Sequence, residues 1–185
     1  MKTKSITLIS LFVAVMIAFG AIPSLVIPFI PVPFTFQMLG VMLVGSILGA
    51  RKGFAAMLVF LGLVAAGLPV LSGFHGGMGV LLGPTGGYVL AWPIAALIIG
   101  LFTDHIQLAG RLKLIWYYLA IFAGIAIIYL IGVPWFAFFT NTPMFTAIGG
   151  NIPLFLLDLV KAAIAAVVAS QLRQRLTILH RTGAM

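Results

Sequence analysis

Two ionisable residues stand close together in one of the most apolar stretches of this 185-residue chain. Asp158 and Lys161 are the only charged residues between Lys113 and Arg173. On a helix, a spacing of three places both side chains on one face. A carboxylate accepts hydrogen bonds and an ammonium group donates them, so the pair suits a small polar group that does both. The neighbouring apolar residues favour an apolar body on the same molecule, which describes an amphipathic ligand.

A purely structural ion pair that locks helices together is the alternative for these two residues. Each charge costs about 2.5–3.5 kcal/mol at the centre of a bilayer on insertion scales, so an intramembrane pair indicates a site by default. If the helix begins near Ile152, Asp158 lies roughly 9 Å from its outer end at 1.5 Å per residue. That depth is within reach of a cavity open to the outside, and we therefore favour the ligand site.

The amino-acid composition indicates the class of protein that holds this pair. Hydrophobic residues make up 63% of the chain and charged residues only 6%, against roughly 25% charged residues in an ordinary soluble domain. A soluble fold and a disordered chain are excluded, and the absence of apolar–polar alternation argues against an outer-membrane barrel. The sequence therefore predicts an all-α membrane protein.

Three uncharged runs, 5–50, 53–103 and 114–157, set the number of helices. A spanning helix takes about 20 residues, so each run has room for two spans and a loop. This predicts six transmembrane helices, the second and third of them short. No repeat, linker or low-complexity tail is visible, and the first run is too long for a signal peptide. We expect one domain over 1–185, with spans near 6–26, 36–50, 53–68, 86–103, 113–132 and 152–172.

The positive residues predict the orientation of these spans. Under six spans, nine of the ten Lys and Arg residues fall on one side, whereas five or seven spans would scatter them over both sides. The positive-inside rule then places both termini in the cytoplasm of a multi-pass protein of the cell membrane. The nine residues are Lys2, Lys4, Arg51, Lys52, Arg111, Lys113, Arg173, Arg175 and Arg181.

Two outer loops are too rich in proline and glycine to be simple connectors. Residues 27–37 contain three prolines, which fix φ and favour a rigid, extended segment. Residues 73–88 contain seven glycines, which allow close approach of the backbone to a neighbour or a ligand. A tight turn between helices is the alternative, but it would not need so many glycines. We expect a glycine-rich outer loop that lies over a binding cavity.

The chain lacks the residues that several other kinds of functional site require. No cysteine is present, and His75, His105 and His180 are dispersed, so we expect no metal site. No P-loop signature occurs, which excludes ATP binding by this chain. No nucleophile–base spacing stands out beside the two carboxylates, so we expect neither an enzyme nor a cofactor. The basic residues do not cluster on one stretch, and membrane topology explains them better than nucleic-acid binding.

Small residues in the first span form an A-x-x-x-A pattern at Ala14 and Ala18. Such spacing lets two helices approach closely. On spacing alone, packing within this bundle is a better interpretation than an interface with a partner.

Four segments in this order, taken together on six spans, resemble the BioY family, the biotin-specific S-components of energy-coupling factor (ECF) transporters. The resemblance covers nearly the whole chain. The segments are 30–37 (IPVPFTFQ), 67–70 (GLPV), 83–88 (GPTGGY) and 152–162 (IPLFLLDLVKA).

The resemblance implies six helices with biotin bound near the outer surface, under the loops. It implies high-affinity capture and uptake of biotin, together with a membrane-embedded T-component and two cytoplasmic ATPases that use the ATP. It also matches Ala14 and Ala18 to the motif by which S-components dock on the T-component. An S-component for another vitamin and a stand-alone facilitator of small-molecule transport are the alternatives.

On this resemblance, Asp158 is expected to accept a ureido N–H of biotin, and Lys161 to donate to the ureido oxygen or to the ligand carboxylate. We favour the ureido end for both residues, because adjacent residues reach only one end of the ligand. The ligand carboxylate would then meet loop groups. Gln37 is expected to add a polar contact, and aromatic side chains to pack on the bicyclic ring. The expected ligand-binding set is Asp158, Lys161, Gln37, Phe34, Phe74, His75, Thr85, Gly86 and Tyr88.

Overall fold

The computed structural model describes residues 3–28, 30–106 and 110–181, with side chains as far as Arg173. Lys2, and the side chains of Arg175, His180 and Arg181, therefore lie outside the described part. Eight helices and no extended strands occur within these ranges. The helices are α1 Thr3–Gly20, α2 Gln37–Leu48, α3 Ala50–Ala65, α4 Met78–Leu81, α5 Gly86–Leu90, α6 Trp92–Asp104, α7 Gly110–Thr140 and α8 Met144–Arg181.

Four stretches of the described chain are long and apolar enough to cross a membrane: α1, α5 together with α6, α7, and α8 as far as Arg173. The all-α prediction is confirmed. Helix α2 is apolar but has only 12 residues, which corresponds to about 18 Å at 1.5 Å per residue and is less than a hydrocarbon core of roughly 30 Å.

The boundaries of the last two helices differ from those predicted. The segment 133–151 was expected to be an outer loop, but it is helical except around 141–143, so α7 has 31 residues and α8 has 38. Pro134 and Pro153 lie inside the two helices. Proline is tolerated there because neighbouring helices and local adjustments satisfy the backbone groups that it frees.

The bundle is organised around α6, α7 and α8. Helix α7 packs along α8, and α6 contacts α2, α3 and α7, while α1 lies against α2 and α3. Large apolar side chains such as Phe60, Met16 and Met57 are fully buried in the core of the bundle. The outward-facing sides of α7 and α8 carry exposed apolar residues, including Leu130 and Phe145, as expected for helices that face lipid.

One end of the bundle, which we term the loop end, carries the connections 21–36, 66–77 and 141–143. Leu25 and Phe34 exchange two backbone hydrogen bonds of 2.9 Å, which close the first loop into a hairpin-like turn. Trp135 donates its indole N–H to the carbonyl oxygen of Gly83 at 2.9 Å. The first contact closes the loop 21–36 on itself, and the second joins the segment before α5 to α7.

The opposite end, which we term the basic end, carries Arg51, Lys52, Lys113 and Arg173 near Asp104. Asp104 accepts the backbone N–H of Ala50 at 3.0 Å and pairs with Arg173 at 2.5 Å. Gly49 connects α2 to α3 with a φ of 78°, and a Cβ there would collide with the Asp104 carboxylate. A glycine is required for both reasons.

Candidate functional site

Asp158 and Lys161 form an ion pair inside the bundle. The Lys161 ammonium nitrogen lies 2.8 Å from Asp158 Oδ1. Only 2% of Asp158 and 6% of Lys161 is exposed. The predicted spacing on one helix face is confirmed, since both residues lie in the regular part of α8.

Two other elements bind this pair. From the first loop, the carbonyl oxygen of Thr35 accepts a hydrogen bond from the Lys161 ammonium at 2.8 Å, and the Phe34 ring centroid lies 3.6 Å from the same nitrogen. From α7, the Tyr129 hydroxyl donates to Asp158 Oδ2 at 2.9 Å. Buried charges require such partners, because an unpaired charge in an apolar interior is very costly.

A small cavity of about 50 Å³ lies directly against the ion pair. A second cavity of about 510 Å³ lies beneath the loops, which is in the size range of ligand pockets. The two cavities share five lining residues, so they are neighbours across a thin partition. Those shared residues are Val32, Pro33, Thr35, Tyr88 and Trp92.

Three of the predicted loop residues line the larger cavity: His75, Thr85 and Tyr88. Tyr88 also lines the small cavity, and its hydroxyl donates to Asn151 Oδ1 at 2.9 Å. Gly132 lies directly under the Tyr88 ring, where a Cβ would overlap the ring atoms. The aromatic side chain is therefore seated against α7 without any side chain in between.

Gln37 lines the larger cavity, but its polar atoms are bound to protein. Its amide nitrogen donates to the carbonyl oxygens of Met16 and Val70, and its amide oxygen accepts from the backbone N–H and the hydroxyl of Ser72. An amide side chain offers two donor hydrogens and one acceptor oxygen with two lone pairs. All of these are used, so the side chain joins α1, α2 and the second loop.

The structure does not bring Phe74 or Gly86 into the lining of either cavity. Phe74 has a φ of 59° and is 65% exposed as a residue, so it points away from the interior. Gly86 begins α5 in close contact with the carbonyl group of Leu81, and its role there is to allow that approach. Phe34 is also outside both linings, because it packs against the Lys161 ammonium.

Sequence reasoning missed several residues that the fold brings to the site, notably Tyr129, the Thr35 carbonyl group and Asn151. Tyr129 and Asn151 are polar side chains in apolar helices, which was an available signal. Their partners, however, are 29 and 63 residues away along the chain. A backbone carbonyl such as that of Thr35 has no sequence signal at all. Within the described residues, no group of three or more His, Cys, Asp or Glu side chains could hold a metal ion.

Comparison with known proteins identifies the family. The family model described as "BioY family" matches residues 1–178. The chain belongs to the BioY family. This confirms the resemblance found in its four segments. As the names of its relatives show, the family is one of transporters rather than enzymes, and with its apolar helices this BioY-family chain is a multi-pass protein of the cell membrane.

Relatives with similar sequences cover nearly the whole BioY-family chain. It is 40% identical to a "Probable biotin transporter BioY" of Bacillus subtilis over 170 residues, covering 92% of this chain and 90% of the relative. It is 36% identical to the "Biotin transporter BioY" of Rhizobium etli, covering 91% and 92%. A crystal structure of the S-component for biotin from an ECF-type ABC transporter superposes with a TM-score of 0.87 at 32% identity, covering 94% of this chain and 92% of that one.

Proposed function

We propose that this chain binds biotin with high affinity and supports its uptake as the substrate-specific S-component of an ECF-type transporter. Its family and its biotin-transporter relatives support a role in the transport of biotin. The observation that carries the binding site is the buried Asp158–Lys161 pair, which lies against a small cavity adjoining a cavity of about 510 Å³ under the loops.

In this proposal the two ends of the ligand meet different elements. Asp158 accepts a ureido N–H, and Lys161 donates to the ureido oxygen, on the side of the small cavity. The ligand carboxylate extends under the loops towards His75 and Thr85, and Tyr88 packs between the two regions. Lys161 would exchange part of its contact with the Thr35 carbonyl group for the ligand, because an ammonium group has only three donor hydrogens.

We further propose that the chain forms one domain with six membrane spans, counting the short α2 and α3 as spans and α5 with α6 as one. Both termini then lie in the cytoplasm. The gathering of Arg51, Lys113 and Arg173 at the basic end, with none of the described Lys or Arg side chains in the loops of the opposite end, supports this orientation. Cysteine accessibility labelling at Lys52 and at Phe74 tests it, since the two positions must react from opposite sides.

The proposed partners are a membrane-embedded T-component and two cytoplasmic ATPases. Ala14 and Ala18 are both exposed on the surface of α1, which supports an interface with a partner rather than packing within this bundle. We expect Ala14→Trp and Ala18→Trp to abolish ATP-driven uptake and leave biotin binding intact. Ile6→Trp, at an exposed position of α1 outside the face that carries Ala14 and Ala18, is the control. Loss of binding in the Ala variants would instead indicate a role within the bundle.

The binding site is tested by calorimetry in detergent on Asp158→Asn and Lys161→Met. We expect each folded variant to bind biotin at least about a hundredfold more weakly, since each loses a desolvated polar contact and leaves its partner unpaired. Wild-type affinity in both would refute the site. A panel of other vitamins tests the ligand, and uptake into liposomes without ATPases would support a stand-alone facilitator.

A further inference from the structure

The Asp158 carboxylate is bound on both oxygens by side chains of different origin. Lys161 takes Oδ1 at 2.8 Å and Tyr129 takes Oδ2 at 2.9 Å. Lys161 belongs to the same helix, three residues further on, so it moves with Asp158. Tyr129 belongs to α7. Its hydroxyl therefore holds the carboxylate of α8 in a fixed position against α7. The contact with Lys161 lies within α8 and cannot do this.

The Tyr129 ring is itself held by aromatic neighbours. Its centroid lies 5.2 Å from that of Phe155 and 5.9 Å from that of Tyr88, both in edge-to-face contact. Such geometry is favourable for aromatic pairs. Tyr88 is bound in turn to Asn151. The hydroxyl that reaches Asp158 is thus carried by a ring with little freedom to move.

Tyr129 also separates two spaces. On one side it lines the small cavity beside the ion pair. On the other side it lines an apolar groove of about 360 Å³ between α7 and α8, together with Leu130, Val133 and Ile152. Its position is therefore in the wall of the site, with the hydroxyl directed to the carboxylate.

We propose that Tyr129 is a positioning residue for ligand binding, because its hydroxyl fixes Asp158 in the orientation that accepts a ligand N–H. This inference rests on the proposed function. A carboxylate offers about four lone-pair positions, of which Tyr129 and Lys161 use two. The remaining two are available to the ligand only while the carboxylate plane is held in place.

The experiment compares Tyr129→Phe with the wild type for biotin affinity in detergent. Phe retains the ring and removes one hydroxyl, so we expect affinity to fall about tenfold, as for a hydrogen bond to a charged group. Tyr118→Phe, the same change on the same helix towards the basic end, is the control and should stay within about twofold. Affinity of Tyr129→Phe within that same range would overturn the inference.

A double-mutant cycle separates positioning from packing. If Tyr129 acts through Asp158, adding Tyr129→Phe to Asp158→Asn should change affinity by less than about twofold. A purely structural effect would instead lower affinity by the same factor in both backgrounds, and that result would contradict the inference. Wild-type affinity in Asp158→Asn alone would refute the binding site itself, which is a distinct outcome.

Infrared spectroscopy supplies a readout that does not depend on binding. The chain has only two acidic side chains, so labelling aspartate with carbon-13 and subtracting the spectrum of Asp158→Asn isolates one carboxylate. We expect its antisymmetric stretching band to shift in Tyr129→Phe and to stay in place in Tyr118→Phe. An unmoved band in Tyr129→Phe would overturn the inference.

Discussion

Among the described side chains, an aspartate pairs with a basic residue of α8 at each end of the bundle, and the two pairs differ in what surrounds them. At the loop end, Asp158–Lys161 is almost fully buried and lies against a cavity. At the basic end, the side chains of Asp104 and Arg173 are 33% and 23% exposed. There, Arg173 also donates to the Ser46 carbonyl oxygen and the Thr103 hydroxyl.

The surroundings of each charged pair indicate its role. The basic-end pair joins the ends of α2, α3, α6 and α8 through backbone and side-chain groups, so its contacts account for it structurally. The loop-end pair is held by one loop and one tyrosine and adjoins empty space under the loops. A buried pair contributes little net stability against apolar residues of the same shape, so its retention requires another reason, which in our proposal is the ligand.

The largest effect is expected from Lys161→Met, which leaves the Asp158 carboxylate buried without its cationic partner. We expect the free energy of unfolding to fall by about 3–5 kcal/mol, because an uncompensated buried charge is strongly destabilising. Thermal unfolding in detergent measures it. The double variant Asp158→Asn/Lys161→Met removes both charges and should recover much of this loss without recovering biotin binding. A double variant less stable than Lys161→Met would contradict the statement that the unpaired Asp158 carboxylate causes the loss of stability.

A smaller effect is expected from Gln37→Leu at the loop end. The change leaves the carbonyl oxygens of Met16 and Val70 and the N–H of Ser72 without their partner, which should lower the free energy of unfolding by about 2–4 kcal/mol. Ser46→Ala, which removes a buried hydroxyl bonded only within α2, is the control. Reduced biotin affinity at unchanged stability would indicate instead that Gln37 contacts the ligand directly.

At the basic end, Asp104→Asn should lower the free energy of unfolding by about 1–2 kcal/mol, a modest value because the pair is partly exposed to solvent. Biotin affinity should remain within about twofold of the wild type, since the change lies at the opposite end of the bundle from the cavity. Calorimetry and thermal unfolding on the same preparation test both statements. Arg51→Gln, an exposed change beside the same helix junction, is the control and should be nearly neutral. A large loss of affinity in Asp104→Asn would show that the two ends are coupled.

The smallest expected effect is that of salt on the stability difference between the wild type and each variant. Raising sodium chloride from about 0.05 M to about 1 M shortens the Debye length to roughly 3 Å, which screens exposed charges far more than buried ones. The stability difference between the wild type and Asp104→Asn should therefore shrink by a few tenths of a kcal/mol. The difference between the wild type and Lys161→Met should stay constant, and an equal decrease in both would remove the distinction between the pairs.

Much of the fold followed from the local character of the chain. Long uncharged runs can be satisfied in a membrane only by helices, which is why the all-α class was correct. The helix ends were less predictable, because Pro134 and Pro153 are helix breakers in water but lie inside helices here. The interruption between α5 and α6 around Ala91 has no clear signal in a stretch that is apolar throughout.

Local sequence was sufficient to predict that one acid and one base share a helix face in an apolar environment, since a spacing of three and the cost of a buried charge are local properties. Three other features follow from tertiary packing. Tyr129 and the Thr35 carbonyl group bind this pair, the Gln37 amide joins α1, α2 and the second loop, and Phe74 faces outwards. Those outcomes depend on which distant segments pack together. The contacts of a side chain with segments 29 to 126 residues away are set by the packing of the whole bundle, and no local pattern encodes them.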